Sequence, residues 1–214
     1  MKKLNKKKKL NWIIFGLLLL LIFTVIINNR TKNGLNYYVY EGSLDNYTFL
    51  LSQQGDHFLN WSVVYKLNDI MQTVKEYHTP FPYGPNELEE IEINDFRKEF
   101  QDAQEVYITR DVLLDSKTKS QIVVSLLNLD RVIEKFKTIS LLASIENNDM
   151  TQELNLPIIT CGNSNENRFV IWLKEGEKNR IYKENDYCIV GEFEEGDDPN
   201  KVATKIAYHI IGVM

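Results

Sequence analysis

The stretch RFVIWLKEGEKNRIYKENDYCIVGEF, residues 168–193, sets apolar, β-branched and aromatic runs between clusters of turn-forming residues. RFVIWL, NRIY and YCIVGEF each have strand length and composition, and EGEK and KEND between them read as turns. LPIITC, residues 156–161, reads as a further strand, with GNSNEN as the turn that follows it. The closing GDDPNKVATKIAYHIIGVM is helical. Asp198 can cap it, Pro199 suits the first helical position, Val202, Ala203, Ile206, Ala207 and Ile210 form one face, and Gly212 stops it. A helix with both ends specified in this way is expected to dock on the sheet.

Working towards the N-terminus, EVYIT (105–109) and ISLLASIE (139–146) read as strands. Between them Ile122, Leu126, Leu129, Ile133 and Phe136 recur at helical spacing, which predicts a strand–helix–strand unit. If its strands are parallel neighbours, the connection is right-handed. Asn94 is expected to cap a brief helix through Phe96, Phe100 and Ala103. The proline-rich TPFPYGP, residues 79–85, interrupts regular structure, marks a sub-boundary at 79–86 and is the expected exposed contact loop. Ahead of it, Val63, Val64, Leu67, Ile70, Met71, Val74 and Tyr77 fit the stripe of an amphipathic helix. Tyr37–Glu41 and Tyr47–Leu51 read as two strands. The expected fold class is α/β or α+β, a mixed sheet with about three packed helices.

One N-terminal transmembrane helix is expected before this domain. In KKKKLNWIIFGLLLLLIFTVIINNR, residues 6–30, the sixteen residues from Trp12 to Ile27 carry no charge. As a helix they span roughly 24 Å at 1.5 Å per residue, and flanking lysines can snorkel across the remaining membrane thickness. The rival reading, a cleaved signal, needs small residues at a cleavage site, and the following NNRTKNGLN supplies only Gly34. Lysines 2, 3, 6, 7, 8 and 9 precede the run, against Arg30 and Lys32 behind it, which orients the N-terminus to the cytoplasm. The expected organisation is a Lys-rich cytoplasmic tail at 1–10, an anchor at 11–28, a linker at 29–36 and an extracytoplasmic domain at 37–214.

The net charge of -5 conceals an asymmetry, because residues 1–30 hold seven bases and no acids, leaving 18 bases against 30 acids beyond them. Such an acidic outer part disfavours nucleic acid as a partner. The expected partners are membrane lipid, through the anchor, and a protein at the outer face. Cys161 and Cys188 are the two cysteines. In an oxidising compartment they are expected to pair, the alternative being two small buried thiols. Asn46 and Asn60 open N-x-S/T triplets and are candidate glycan acceptors.

PIITC, FVIWLKEGEKNRIYKENDYCIVGEF and AYHIIGVM, behind a signal anchor, resemble segments of small membrane-anchored archaeal proteins of unassigned function. The resemblance covers about 60 residues. It implies an outward-facing domain and a paired Cys161 and Cys188, and it implies no catalyst.

Catalytic signals are sparse. His57, His78 and His209 stand alone in the sequence, and neither a nucleophile elbow nor a phosphate-binding glycine loop occurs. No catalytic residue, metal ligand or cofactor is expected. The acidic ELEEIE and EFEEGDD lack the spacing of a calcium loop. The expected function is a membrane-anchored binding, scaffolding or assembly module. One alternative is a tethered hydrolase using Asp56, His57 and His78. Another is a cytoplasm-facing adaptor with reversed topology.

Overall fold

A computed structural model describes residues 36–41, 48–54, 61–68, 70–79, 82–110 and 116–214. The anchor expected at 11–28 and the residues Asn46, Asp56, His57 and Asn60 lie outside these. Among the described residues no helix is long and apolar enough to cross a membrane.

Four strands form the first sheet in the order β1 (Asn36–Glu41), β2 (Thr48–Gln54), β3 (Trp61–Leu67) and β4 (Thr73–Thr79). β3 pairs antiparallel with both β2 and β4. The amphipathic helix expected over 60–77 is therefore a hairpin. Its apolar residues fit helical spacing, but Trp61, Val63, Val64, Tyr65, Thr73, Val74 and Tyr77 are aromatic or β-branched and suit a pleated surface better. Asn68 supplies the turn. Its side-chain oxygen accepts from the backbone N–H of Ile70 at 3.2 Å and of Gln72 at 2.9 Å, while Met71 takes a φ of 59°. Val64 and Tyr77 point into the core, whereas Ile70, Met71 and Val74, assigned by spacing to a buried stripe, stand exposed about the hairpin tip.

The second sheet is mixed. Its strands β5 (Glu92–Ile93), β6 (Glu105–Arg110), β7 (Ile139–Ser144), β8 (Arg168–Gly176), β9 (Arg180–Asn185) and β10 (Cys188–Glu194) lie in the order β5-β9-β10-β8-β6-β7. β6, β7, β8 and β10 run parallel, with β9 antiparallel to β10. Among the described residues four α-helices accompany it: α1 (Arg97–Asp102), α2 (Ser116–Ile133), α3 (Asp149–Glu153) and α4 (Asn200–Ile211). The fold is thus α+β, and the expected strand–helix–strand unit is β6–α2–β7, with its strands parallel. The expected strand at 156–161 is a single bridge from Ile158 to Ser144 followed by a 3-10 turn, Cys161–Asn163. Asp95, rather than Asn94, accepts the Arg97 N–H at the start of α1.

Strand alternation divides the second sheet into two faces. On one, Val106, Ile108, Phe169, Ile171, Leu173, Ile189 and Phe193 meet Ile122, Leu126, Leu129 and Ile133 of α2 and Val202, Ile206 and Ile210 of α4. Burying each such side chain contributes about 1.5–3 kcal/mol. Helix α4 begins one residue later than expected, with Pro199 at its N-cap position and the Asp198 carboxylate accepting the Asn200 N–H at 3.0 Å, and ends as expected at Gly212 with a φ of 97°. It approaches β10 closely because Gly191 has no side chain; a Cβ there would lie 2.7 Å from Leu173 and 2.8 Å from Val202.

β8 and β9 are joined by only three residues, Glu177–Asn179, yet β10 lies between them. Four backbone steps reach at most about 13–14 Å, enough for the two strand spacings of about 9.6 Å to be bridged. Buried Glu192 on β10 holds this link. Its carboxylate accepts from the Glu177 N–H at 3.3 Å and from Arg180 at 2.7 and 2.8 Å. The Glu192 side chain occupies the space beside Gly176, where a Cβ would stand 1.8 Å from its Oε1. Asn179 completes the link by accepting the Glu194 N–H and donating to Asp197.

Candidate functional site: the strapped sheet face

Among the described residues, the face of the second sheet opposite α2 and α4 has no long helix over it. Leaving β7, the chain makes α3 and returns along the sheet edge, where Ser144 N–H donates to Pro157 at 3.0 Å and Ile159 N–H donates to Ser144 at 2.9 Å. It then crosses the lower part of the face as a strap. Ile159 and Cys161 pack on Tyr107, Ala143, Val170, Cys188 and Val190. Cys161 and Cys188 form a disulfide with Cα atoms 5.4 Å apart, as expected from the cysteine count. The Cys161 carbonyl accepts from Ser164 Oγ at 2.7 Å and Asn185 Nδ2 at 3.1 Å, tying the strap to the β9–β10 turn.

Above the strap, the register aligns Tyr182, Val190, Trp172, Thr109 and Ala143 in one row across five strands. The next row holds Arg180, Glu192 and Lys174. The Lys174 ammonium lies between two rings, 5.1 Å from the Trp172 centroid and 6.0 Å from that of Tyr182, and Arg180 sits 5.0 Å over Tyr182. Such contacts favour a cation over a π face. Two buried polar atoms in this row, Trp172 Nε1 and Thr109 Oγ1, have no hydrogen-bond partner. A donor left in this state costs about 1–3 kcal/mol; Asn200 Oδ1 and Thr204 Oγ1, one turn apart on α4, are a second such pair.

Glu192 stays ionised beside it. Burial pushes its carboxyl up, but the hydrogen bonds from Arg180 and Glu177 outweigh burial and hold it below the usual range. The row offers flat aromatic surface and two cations, one of them, Arg180, already paired with Glu192; among its residues there is no nucleophile with an adjacent base.

The other sequence candidates occupy different places. His78, at the end of β4, is exposed and lies 2.7 Å from Glu76. His209 is buried against Phe96, with Nδ1 2.9 Å from the Met214 carbonyl and Nε2 3.1 Å from Asp95. Burial lowers its pKa, an effect the two acceptors only partly offset. The acidic EFEEGDD is committed to structure: Asp197 takes Lys201 and Asn179, while Asp198 accepts from Tyr83 and Asn200. Among the described residues no three His, Cys, Asp or Glu side chains converge as a metal site.

The expected contact loop is corrected here. Gly84 and Pro85 are buried, and Tyr83 donates its hydroxyl to Asp198 at 2.8 Å, so residues 83–85 are packed into the fold, while Pro80 and Phe81 lie outside the described residues. Burial, aided by that acceptor, raises the Tyr83 pKa well above its ordinary value. Trp172, Lys174 and Tyr182 were not singled out from sequence. The alternation Val170–Trp172–Lys174 was the available signal, but joining it to Tyr182 requires the strand order. No family model, curated protein or solved structure matches the chain.

Proposed function

We propose that the chain is a membrane-anchored binding and scaffolding module whose acidic domain stands outside the cytoplasm and recognises a protein partner through the Trp172–Lys174–Tyr182 face. The observation that carries this reading is the disulfide. Cys161–Cys188 staples a strap across a sheet face, and such a bond persists where thiols are not continuously reduced. A leading segment with the length and charge flanks of an N-in anchor supports the same compartment. The uncovered aromatic and cationic row supports recognition, since Trp and Tyr provide large contact area with few rotatable bonds. The disulfide also counts against the cytoplasm-facing adaptor.

Two measurements test this. The disulfide-bearing domain of the full chain should be digested by protease added outside sealed right-side-out vesicles and spared in inverted ones; the opposite pattern refutes the compartment. Native partners captured with the full chain should be lost with Trp172→Ala and Tyr182→Ala at unchanged melting temperature. Retention of every captured partner by both variants refutes the assigned face.

A further inference from the structure

The two edges of the second sheet are built differently. β5 is two residues long and carries exposed Glu92, a short charged edge of the kind that discourages pairing. β7, at the other edge, is six residues long, ISLLAS, with no charge, proline or glycine. Its Ile139 and Leu141 are 41% and 43% exposed, and neighbouring Leu154 and Ile158 are exposed as well. Helix α2, packed beside β6 and β7, adds exposed Val124 and Leu127 to the apolar surface at this end of the sheet.

Backbone direction along this edge follows from the strap. Ser144 exchanges hydrogen bonds with Pro157 and Ile159, so its peptide groups point away from β6. By alternation, those of Leu142 and Ser140 point the same way, and among the described residues they meet no strand, since β7 ends the sheet. The strap occupies Ser144, and among the described residues no strand bonds the outward peptide groups of Ser140 and Leu142.

We propose that this edge pairs with β7 of a second copy of the chain, antiparallel and centred on Leu141, making one continuous sheet across a two-fold axis. That register satisfies every requirement of the free stretch. Ser140 faces Leu142 of the second copy and Leu142 faces its Ser140, both as hydrogen-bonded pairs. Leu141 faces Leu141 as the close, non-hydrogen-bonded pair, and Ile139 faces the small Ala143. An isologous contact needs one self-complementary patch, and an uncharged strand opposes itself with no like-charge repulsion. Centring on Leu142 would oppose Ser140 to the strapped Ser144, and centring on Ser140 would require Thr138, which lies outside β7, to pair with Leu142. The pairing does not depend on the proposed partner-binding face.

Cross-linking of the full chain tests it. Opposed Cα atoms in a non-hydrogen-bonded antiparallel pair lie about 4.5 Å apart, within disulfide range, and the two native cysteines are already bonded to each other. Leu141→Cys should form a covalent dimer under mild oxidation at least tenfold faster than Glu166→Cys, an exposed control in the turn before β8. In detergent, Leu141→Lys should shift the chain from two copies to one at unchanged circular dichroism. Cross-linking no faster than the control overturns the register. A wild-type mass of one copy at about 10 μM, or a Leu141→Lys protein that remains paired, overturns the interface.

Discussion

Removing the Cys161–Cys188 bond by the double substitution Cys161→Ala and Cys188→Ala should lower stability by an amount set mainly by the closed loop. With a separation of 27 residues, the chain-entropy relation gives about 3.5 kcal/mol. For a domain of this size, 1 kcal/mol moves the melting temperature by roughly 2–4 °C, so the expected fall is about 7–14 °C. The small methyl-for-thiol change at fully buried Cys188 adds to that loss. Thermal denaturation of the full chain in detergent, followed by circular dichroism, measures the total. Hydrogen exchange locates it: the amides of Ser144 and Ile159, which hold the strap to the edge, should lose protection before those of β8 and β10. A fall below about 2 °C with unchanged exchange at Ser144 and Ile159 would refute the view that the bond secures the strap.

Gly191→Ala puts a methyl group within 3.0 Å of Leu173, Val202 and Ile206, and overpacking of this kind should cost about 1–3 kcal/mol in denaturant unfolding. Gly176→Ala displaces the Glu192 carboxylate from Glu177 and Arg180; a crystal structure should show those bonds broken, and retained bonds would contradict the account of the link. His209, its pKa lowered by burial, takes up a proton more readily unfolded than folded. Stability should therefore be intact above the ordinary histidine value of about 6.5 and fall as pH drops through the folded value, a slope that His209→Gln removes. Glu99 and Asp197 are pushed up by burial but held lower overall by Lys183 and Lys201 respectively. Their contribution is present above the unfolded carboxylate pKa and lost as pH falls through the folded one, so Lys183→Met should flatten the acid limb of the stability curve.

The C-terminal strands and α4 were legible because turn residues punctuate them and because Asp198, Pro199 and Gly212 mark both helix ends locally. The β3–β4 hairpin was not. Its apolar spacing is helical by coincidence, and the deciding contribution, the Asn68 side chain folding over Ile70 and Gln72, is one turn among many that asparagine can make. Tyr83 was misjudged because proline-rich composition says nothing about a distant acceptor such as Asp198. The disulfide followed from arithmetic on two cysteines. The aromatic row did not, because placing Trp172 and Tyr182 in one row on either side of Val190 requires β10 between their strands, an order that a three-residue link between β8 and β9 does not suggest.

That order has a consequence for how the protein is made. β8 and β9 leave the ribosome before β10, tied by a link too short to let them drift apart and yet unable to bond to each other in the finished sheet. A growing sheet therefore carries an open slot between β8 and β9 until β10 is delivered. Premature termination just upstream of Cys188 should yield a sticky half-sheet for quality-control proteases, not a smaller working protein.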